Sequence, residues 1–301
     1  MVSIRYLDLM SNFSCTTYGK WILSGEHTVL RQGEALVFPV KSKCLELIYT
    51  YNPEYLSLNL EGECGEDYKL LFWGLLDHAL EKVNKSKENL CGEIYLKANL
   101  PVGAGLGASA ALCVAMGRWF VHLDYVQEKS LYEFCRSLED LFHGESSGVD
   151  IAVTLAGEGI RFKKGQPAEP LKLNWQPNWY LSYSGQIGVT SECIRKVKSI
   201  IESDPKKGES LDNKMQNSTA LARMALLDNC EAGVDQLKEA MDEACDVFKK
   251  WQLTEGALGR HLQELKDAGA IAVKPTGSGG GGYVLSLWPE GASQNMKLIK
   301  I

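Results

Sequence analysis

Residues 100–112 read LPVGAGLGASAAL, with three glycines in five positions directly ahead of an Ala- and Ser-rich run. Glycine lets the backbone enter the left-handed region, and it lets backbone N–H groups approach an anion with no Cβ in the way. A helix that begins there adds its positive dipole end. The preceding CGEIYLKANL reads as a strand, and SAALCVAMGRWFVHL has the length and apolar content of a mostly buried helix. Strand, glycine turn and buried helix in succession predict a mixed fold, with a phosphate as the obvious candidate for the turn. GAGLGA at 103–108 also satisfies the dinucleotide pattern, with Asp124 near the distance of a ribose-binding acid. No Gly-Lys-Ser/Thr closes the loop as in a Walker A sequence, although Ser109 can place a hydroxyl on a phosphate-bound Mg²⁺. The stretch alone leaves a nucleotide kinase, a dinucleotide enzyme and a structural turn open.

The surrounding pattern narrows the choice. KWILSG, EALVFPV and CLELIYTY are short apolar or alternating runs that read as strands. Residues 66–84 show helical spacing through Leu70, Trp73, Leu76, Leu80 and Val83, and KSLYEFCRSLEDLF places Leu131, Phe134, Cys135, Leu138, Leu141 and Phe142 on one helical face. KGQPAEPLKLNWQPN, residues 164–178, gathers three prolines and loses periodicity, which predicts a boundary between domains at 1–175 and 176–301. Beyond it come a strand (WYLSYSG), amphipathic helices across 191–267, and a strand-flanked glycine run. Segregated strands and helices predict an α+β fold, since a doubly wound sheet would alternate them regularly.

Composition excludes some partners. A net charge of −6 supplies no diffuse positive field, so neither nucleic acid nor an anionic membrane is expected, and any bound anion must be held locally. Nine cysteines, an odd number with no C-x-x-C pair, predict reduced thiols and a cytoplasmic protein. Met1 is followed by Arg5 and Asp8 with no long apolar run, so no secretory leader is expected, and no stretch approaches the ~18 apolar residues of a membrane span.

Two further stretches carry candidate chemistry. In LEDLFHGESSGVDIAV, Glu139 follows Cys135 by four residues and so lies at the edge of the apolar helix face, while Asp150 precedes an apolar run. One carboxylate there can orient or deprotonate a hydroxyl and the other can hold a metal. Taken alone, an acid after Ser-Ser-Gly is more often a cap, and His143 has no second histidine at metal spacing. In KPTGSGGGG, residues 274–282, the flanking AIAV and YVLSLW make a loop between packed strands a better reading than a flexible spacer.

YGKWILSGEHTVL near the N-terminus completes a set. GK-x-x-L-x-GEH-x-V, P-x-G-x-GLG-x-SAA, HG-x-x-SG-x-D and K-x-TG-x-GGGG stand in this order over residues 19–282. The chain thereby resembles the family named for galactokinase, homoserine kinase, mevalonate kinase and phosphomevalonate kinase. The resemblance implies an N-terminal α+β domain with a left-handed crossover and a C-terminal ferredoxin-like domain. It implies ATP and Mg²⁺ as cofactors and a small alcohol as acceptor, with a homodimer as the expected assembly. Carried onto this sequence, Pro101, Gly103, Ala104, Gly105, Leu106, Gly107, Ala108 and Ser109 match the phosphate loop, and Gly279, Gly280 and Gly281 the closing glycine loop. Ser109 and Glu139 match the Mg²⁺ ligands, and Asp150 and Lys20 the catalytic aspartate and lysine. Glu26 and His27 match the substrate-side pair, and Thr190 a substrate-side threonine.

The departures bear on substrate. Ser146 and Ile151 stand where proline and asparagine are common, Ala108 replaces a serine, and Ser278 and Tyr283 replace small residues. Val29-Leu30 follows GEHT where sugar kinases usually have Asp-Tyr, so an apolar residue faces the place of the sugar hydroxyls. Mevalonate is accordingly the first expected acceptor, ahead of phosphomevalonate, homoserine or a sugar. A silent ligand sensor would have lost catalytic groups, whereas Lys20, Ser109, Glu139 and Asp150 are all present.

Overall fold

A computed structural model describes residues 12–143, 146–228, 230–289 and 296–301. In chain order the elements are β1 (Phe13–Ser24), β2 (Glu34–Thr50), β3 (Leu56–Glu61), α1 (Lys69–Lys82), β4 (Gly92–Ala98), α2 (Ala108–His122), α3 (Leu131–His143), α4 (Val149–Ala156), β5 (Ile160–Lys163), β6 (Glu169–Pro170) and β7 (Trp179–Tyr183). They continue with α5 (Thr190–Ser203), α6 (Pro205–Leu227), α7 (Cys230–Lys250), α8 (Ala257–Asp267), β8 (Ala272–Pro275), β9 (Tyr283–Leu287) and β10 (Ile299–Lys300). The chain is α+β with two sheets, as the segregated pattern predicts.

Packing divides it into two compact units. The first holds the chain through Gly19, Lys43–Val102 and Gly107–Gly157; the second holds Lys20–Ser42, Gly103–Leu106 and Glu158–Ile301. The units interleave along the sequence, because β1 and β2 each run through both. The Pro-rich stretch is no linker: Glu169 and Pro170 pair antiparallel with Arg161 and Ile160 inside the second unit. EALVFPV and CLELIYTY also form one strand rather than two. Pro39, lacking an N–H, falls between the stretch of β2 that pairs with β5 (Glu34–Val37) and the stretch that pairs with β4 (Leu45–Thr50).

In the first unit β3 and β4 are parallel and joined through α1. Alanine-rich α2 is buried along most of its length, including Leu112, Val114, Met116, Trp119 and Phe120. It touches α3 closely, for a Cβ on Gly117 would lie 2.4 Å from Cys135 Sγ. In the second unit the four strands stand in the order β10-β7-β9-β8 with every pairing antiparallel, the 4-1-3-2 order of a ferredoxin-like sheet. Its helices pack Met215, Val247, Phe248 and Trp251 into one cluster. Trp21, Phe38 and Trp179 form another, with Trp21 4.7 Å from Phe38 and 4.9 Å from Trp179 between ring centroids.

The face of α1 differs from expectation. Phe72, Leu75, Leu76, Ala79 and Leu80 are buried, whereas Leu70 is 84% exposed. The sequence admits both stripes, but 72/75/76/79 repeats at three and four residues without a gap and gives the wider apolar face. Trp73 lies outside that stripe and is covered by Lys87 Nζ, 4.1 Å from its ring centroid. Phe72→Ala should therefore lower stability by roughly 3–5 kcal/mol, and Leu70→Ala should stay within ~0.5 kcal/mol of the parent, in chemical denaturation.

Candidate active site

The glycine turn leaves β4 and ends on α2. Gly103, Gly105 and Gly107 have φ of 74°, 88° and 76°, the left-handed region. A Cβ on Gly103 or Gly105 would meet nothing within 4 Å, so the protein's own packing does not demand glycine there. Backbone conformation does, and the open space above the turn is where an anion can approach the N–H groups. Gly107 gives α2 no side-chain cap, and the positive end of the helix dipole stands at the turn. Ser109 lies in the first turn of that helix, and Ala104 and Leu106 are buried beneath the loop.

The first unit also carries both acids. Glu139, on the face of α3 shared with Cys135, is buried at 1% exposure. Its Oε2 accepts a 2.5 Å hydrogen bond from Ser146 Oγ, which itself accepts from the N–H of Gly148 at 3.0 Å. Ser147 Oγ accepts from Val149 N–H at 3.3 Å. These serines fix the start of α4, whose first turn holds Asp150, half-exposed and favoured there by the helix dipole. Asp150 is not the cap, a place taken by Gly148. Asp124 is exposed in the left-handed turn after α2. The side chain of His143 lies outside the described residues.

The second unit gathers the lysine and the substrate-side residues. Lys20 on β1 is buried, and its N–H donates to the carbonyl of Leu106 in the glycine turn at 2.8 Å. Glu26 and His27 follow on the loop after β1, with His27 at φ 60°. Glu26 Oε1 accepts from Lys274 Nζ at 2.5 Å, and the two side chains are 1% and 0% exposed. Burial pushes the Glu26 carboxyl above its ordinary range, while the ammoniums of Lys274 and then Lys20 pull it back. His27 Nε2 donates to the carbonyl of Ser278 at 2.9 Å, and its ring stands edge-on to Trp251 at 5.1 Å. Burial holds this imidazole down to about 4, so it is neutral at physiological pH and serves as a neutral donor. Thr190 opens α5 with its hydroxyl 3.3 Å from Ser278 Oγ.

The closing loop is the hairpin connection between β8 and β9, as its strand-like flanks predict. Its glycines answer to a different constraint from those of the first turn. A Cβ on Gly279 would stand 2.9 Å from Leu253 Cβ, and one on Gly281 would stand 2.6 Å from Gly188 N. Here the protein itself occupies the space. Cys193 Sγ donates to the carbonyl of Gly279 at 3.2 Å, and Gly280 N–H donates to that of Leu253 at 2.8 Å. Three residues were missed as contributors: Ser146, Lys274 and Thr276. The last two lie inside the K-x-TG-x-GGGG motif, which was the available signal; burial of the lysine was not encoded in it.

Mg²⁺ takes hard oxygen donors and usually keeps only one or two from protein beside phosphates and waters. The Ser109 hydroxyl and the Glu139 carboxylate, both in the first unit, have that chemistry. Among the described residues no group of three or more His, Cys, Asp or Glu gathers as a metal cluster. All eight described cysteines are free thiols, and among the described residues no helix is long and apolar enough to cross a membrane.

A left-handed glycine turn ahead of a helix without a side-chain cap, with a hydroxyl and a carboxylate of Mg²⁺-binding type in the same unit as that helix, has the chemistry to hold a phosphate. Residues 71–158 match the GHMP kinases N terminal domain. Mevalonate kinase of Pyrococcus horikoshii is 29% identical over 231 residues, covering 74% of this chain and 68% of the relative. That of Archaeoglobus fulgidus is 24% identical over 273 residues, covering 90% of both. Among solved structures, L. major mevalonate kinase in complex with R-mevalonate superposes with a TM-score of 0.77 at 20% identity, over 92% of this chain and 87% of that one.

The buried imidazole sets a pH dependence. Its unfolded form takes up a proton near 6.5 and its folded form only near 4, so between those values the unfolded state binds the extra proton. His27 should contribute its full stability above pH 6.5 and lose ~1.4 kcal/mol per pH unit as pH falls toward 4, up to about 3 kcal/mol. Glu26 acts in the opposite sense and cancels in the difference between parent and His27→Gln. Denaturation at pH 7, 6, 5 and 4.5 should show that difference shrinking as pH falls.

Proposed function

We propose that this chain is an ATP-dependent kinase that phosphorylates the 5-hydroxyl of mevalonate. The observation that carries the kinase reading is the glycine turn, whose left-handed backbone faces open space at Gly103 and Gly105 ahead of an uncapped helix. The acceptor rests on the relatives, since the P. horikoshii and A. fulgidus proteins are both mevalonate kinases, and on Val29-Leu30 in place of the sugar kinases' Asp-Tyr.

Phosphoryl transfer asks for position and charge neutralisation more than for covalent chemistry. In this reading the N–H groups of the turn and of α2 hold the ATP phosphates, with Pro101, Ala104, Leu106 and Ala108 shaping the loop. Ser109 and Glu139 hold Mg²⁺, which supplies neutralisation of the phosphate oxygens when bound. Lys20 stabilises charge on the transferring group. Asp150 orients the acceptor hydroxyl and takes its proton, and Glu26, His27 and Thr190 shape the acceptor side. Gly279, Gly280 and Gly281 lend backbone to the nucleotide side. A nucleotide-binding domain over 1–175 with a ferredoxin-like domain over 176–301, a cytoplasmic location and a homodimer belong to the same proposal.

A coupled ADP-release assay with Mg²⁺-ATP should show turnover with mevalonate and little with phosphomevalonate, homoserine or galactose. Turnover with a sugar alone would remove mevalonate while leaving the kinase. Asp150→Asn should lower kcat by at least ~100-fold and leave ATP binding within ~3-fold, measured by turnover and by nucleotide titration. Near-parental turnover would exclude the role given to Asp150.

A further inference from the structure

The largest buried charge to which the proposed reaction gives no task is the ammonium of Lys274, 0% exposed at the head of the closing loop. An ammonium has three protons to donate. Here the three acceptors are Glu26 Oε1 at 2.5 Å, the carbonyl of Pro275 at 2.6 Å and the carbonyl of Ile22 at 3.4 Å. Two residues on, Thr276 Oγ1 accepts from Ile22 N–H at 2.7 Å and donates to the Ile22 carbonyl at 3.0 Å. Ile22 lies two residues after Lys20, on the same face of β1 by the strand's period. The next residue along, Gly277, comes so near Lys20 that a Cβ on it would lie 4.0 Å from Lys20 Nζ.

We infer that Lys274 and Thr276 are positioning residues that clamp β1 at Ile22 and thereby fix where Lys20 presents its ammonium. Neither touches the reacting atoms; each acts through the main chain of Ile22, and Lys274 also through Glu26. The inference deepens the kinase reading and rests on it for the task of Lys20. A simple packing role does not explain the arrangement, since an ammonium with no exposure is costly unless every proton is matched, and an apolar side chain would fill the same slot at no such cost. What an apolar side chain cannot supply is attachment to a particular carbonyl of β1. Thr276 makes the second attachment at the same peptide, so the position of Ile22 is set twice from one short segment.

Two variants test it. Thr276→Val keeps size and shape and removes only the bonds to Ile22, and Lys274→Met keeps length and removes the ammonium. The expected result for both is a kcat lowered at least ~10-fold with KM for ATP and acceptor within ~3-fold, because a misplaced lysine weakens the transition state more than the ground state. Amide hydrogen exchange, read without substrate, should rise at least ~10-fold in residues 20–24 while α2 keeps its parental protection. If Lys274→Met does not fold, Thr276→Val carries the test alone. Parental kcat in a folded variant, a rise in KM with kcat intact, or exchange that rises evenly across the protein would each overturn the clamp. A parent protein inactive on all four acceptors would instead remove the kinase reading, and the exchange pattern would still decide whether the clamp exists.

Discussion

A ladder of polar contacts between residues 22–27 and 274–278 organises everything that surrounds it in the second unit. Lys274 meets Glu26, Thr276 meets the main chain of Ile22, and the carbonyl of Ser278 meets His27, at every second residue of the segment 274–278. All but Ser278 are buried, so those groups have little access to water as an alternative partner. Breaking one contact leaves a desolvated charge or dipole behind, which costs more than the contact itself contributes. The ladder is therefore close to all-or-none, and the sequence around GEH and the sequence around the closing loop are held to one mutual register.

The two glycine-rich segments look alike as text and are opposite as structure. At Gly103 and Gly105 a side chain would find empty space, and only the sign of φ requires glycine. At Gly279 and Gly281 a side chain would collide with Leu253 and with the backbone at Gly188. The first segment is shaped for something that arrives from outside the chain, the second for close approach of parts of the chain to one another. On this reading the second loop's share in nucleotide binding comes from its backbone, held in place by Cys193, Leu253 and His27.

Much of the fold was legible because its signals are local. The strand before the turn, the buried helix after it and the hairpin around the closing glycines each follow from periodicity and from glycine position. The misses have non-local causes. Leu70 and Phe72 are equally apolar, and which one is buried depends on what α1 packs against. Pro39 reads as a strand break, yet it is tolerated where β2 passes from one ladder to the next. The interleaving of the two packing units was not legible, because strands that begin before residue 50 pass through both, which composition cannot reveal. Of the candidate site, the glycine turn and the GEH segment were legible as motifs, whereas the hydroxyl of Ser146 stands at an unspecified motif position. The burial that turns Lys274 from a surface charge into a structural one was not legible.

Ser146 shows how a departure from a family pattern can be compensated within the same short segment. Proline at this position would stiffen the chain but has no proton to give and no side-chain oxygen to accept one. Serine does both at once, donating to Glu139 and accepting from Gly148. The Glu139 carboxylate is thus tied to the start of the helix that bears Asp150, through a single hydroxyl. Rigidity that proline would supply by restricting φ is supplied here by two hydrogen bonds, and these also orient the carboxylate, which a ring cannot do. A departure that bears on substrate in the sequence therefore acts in the structure to couple Glu139 to the turn that holds Asp150.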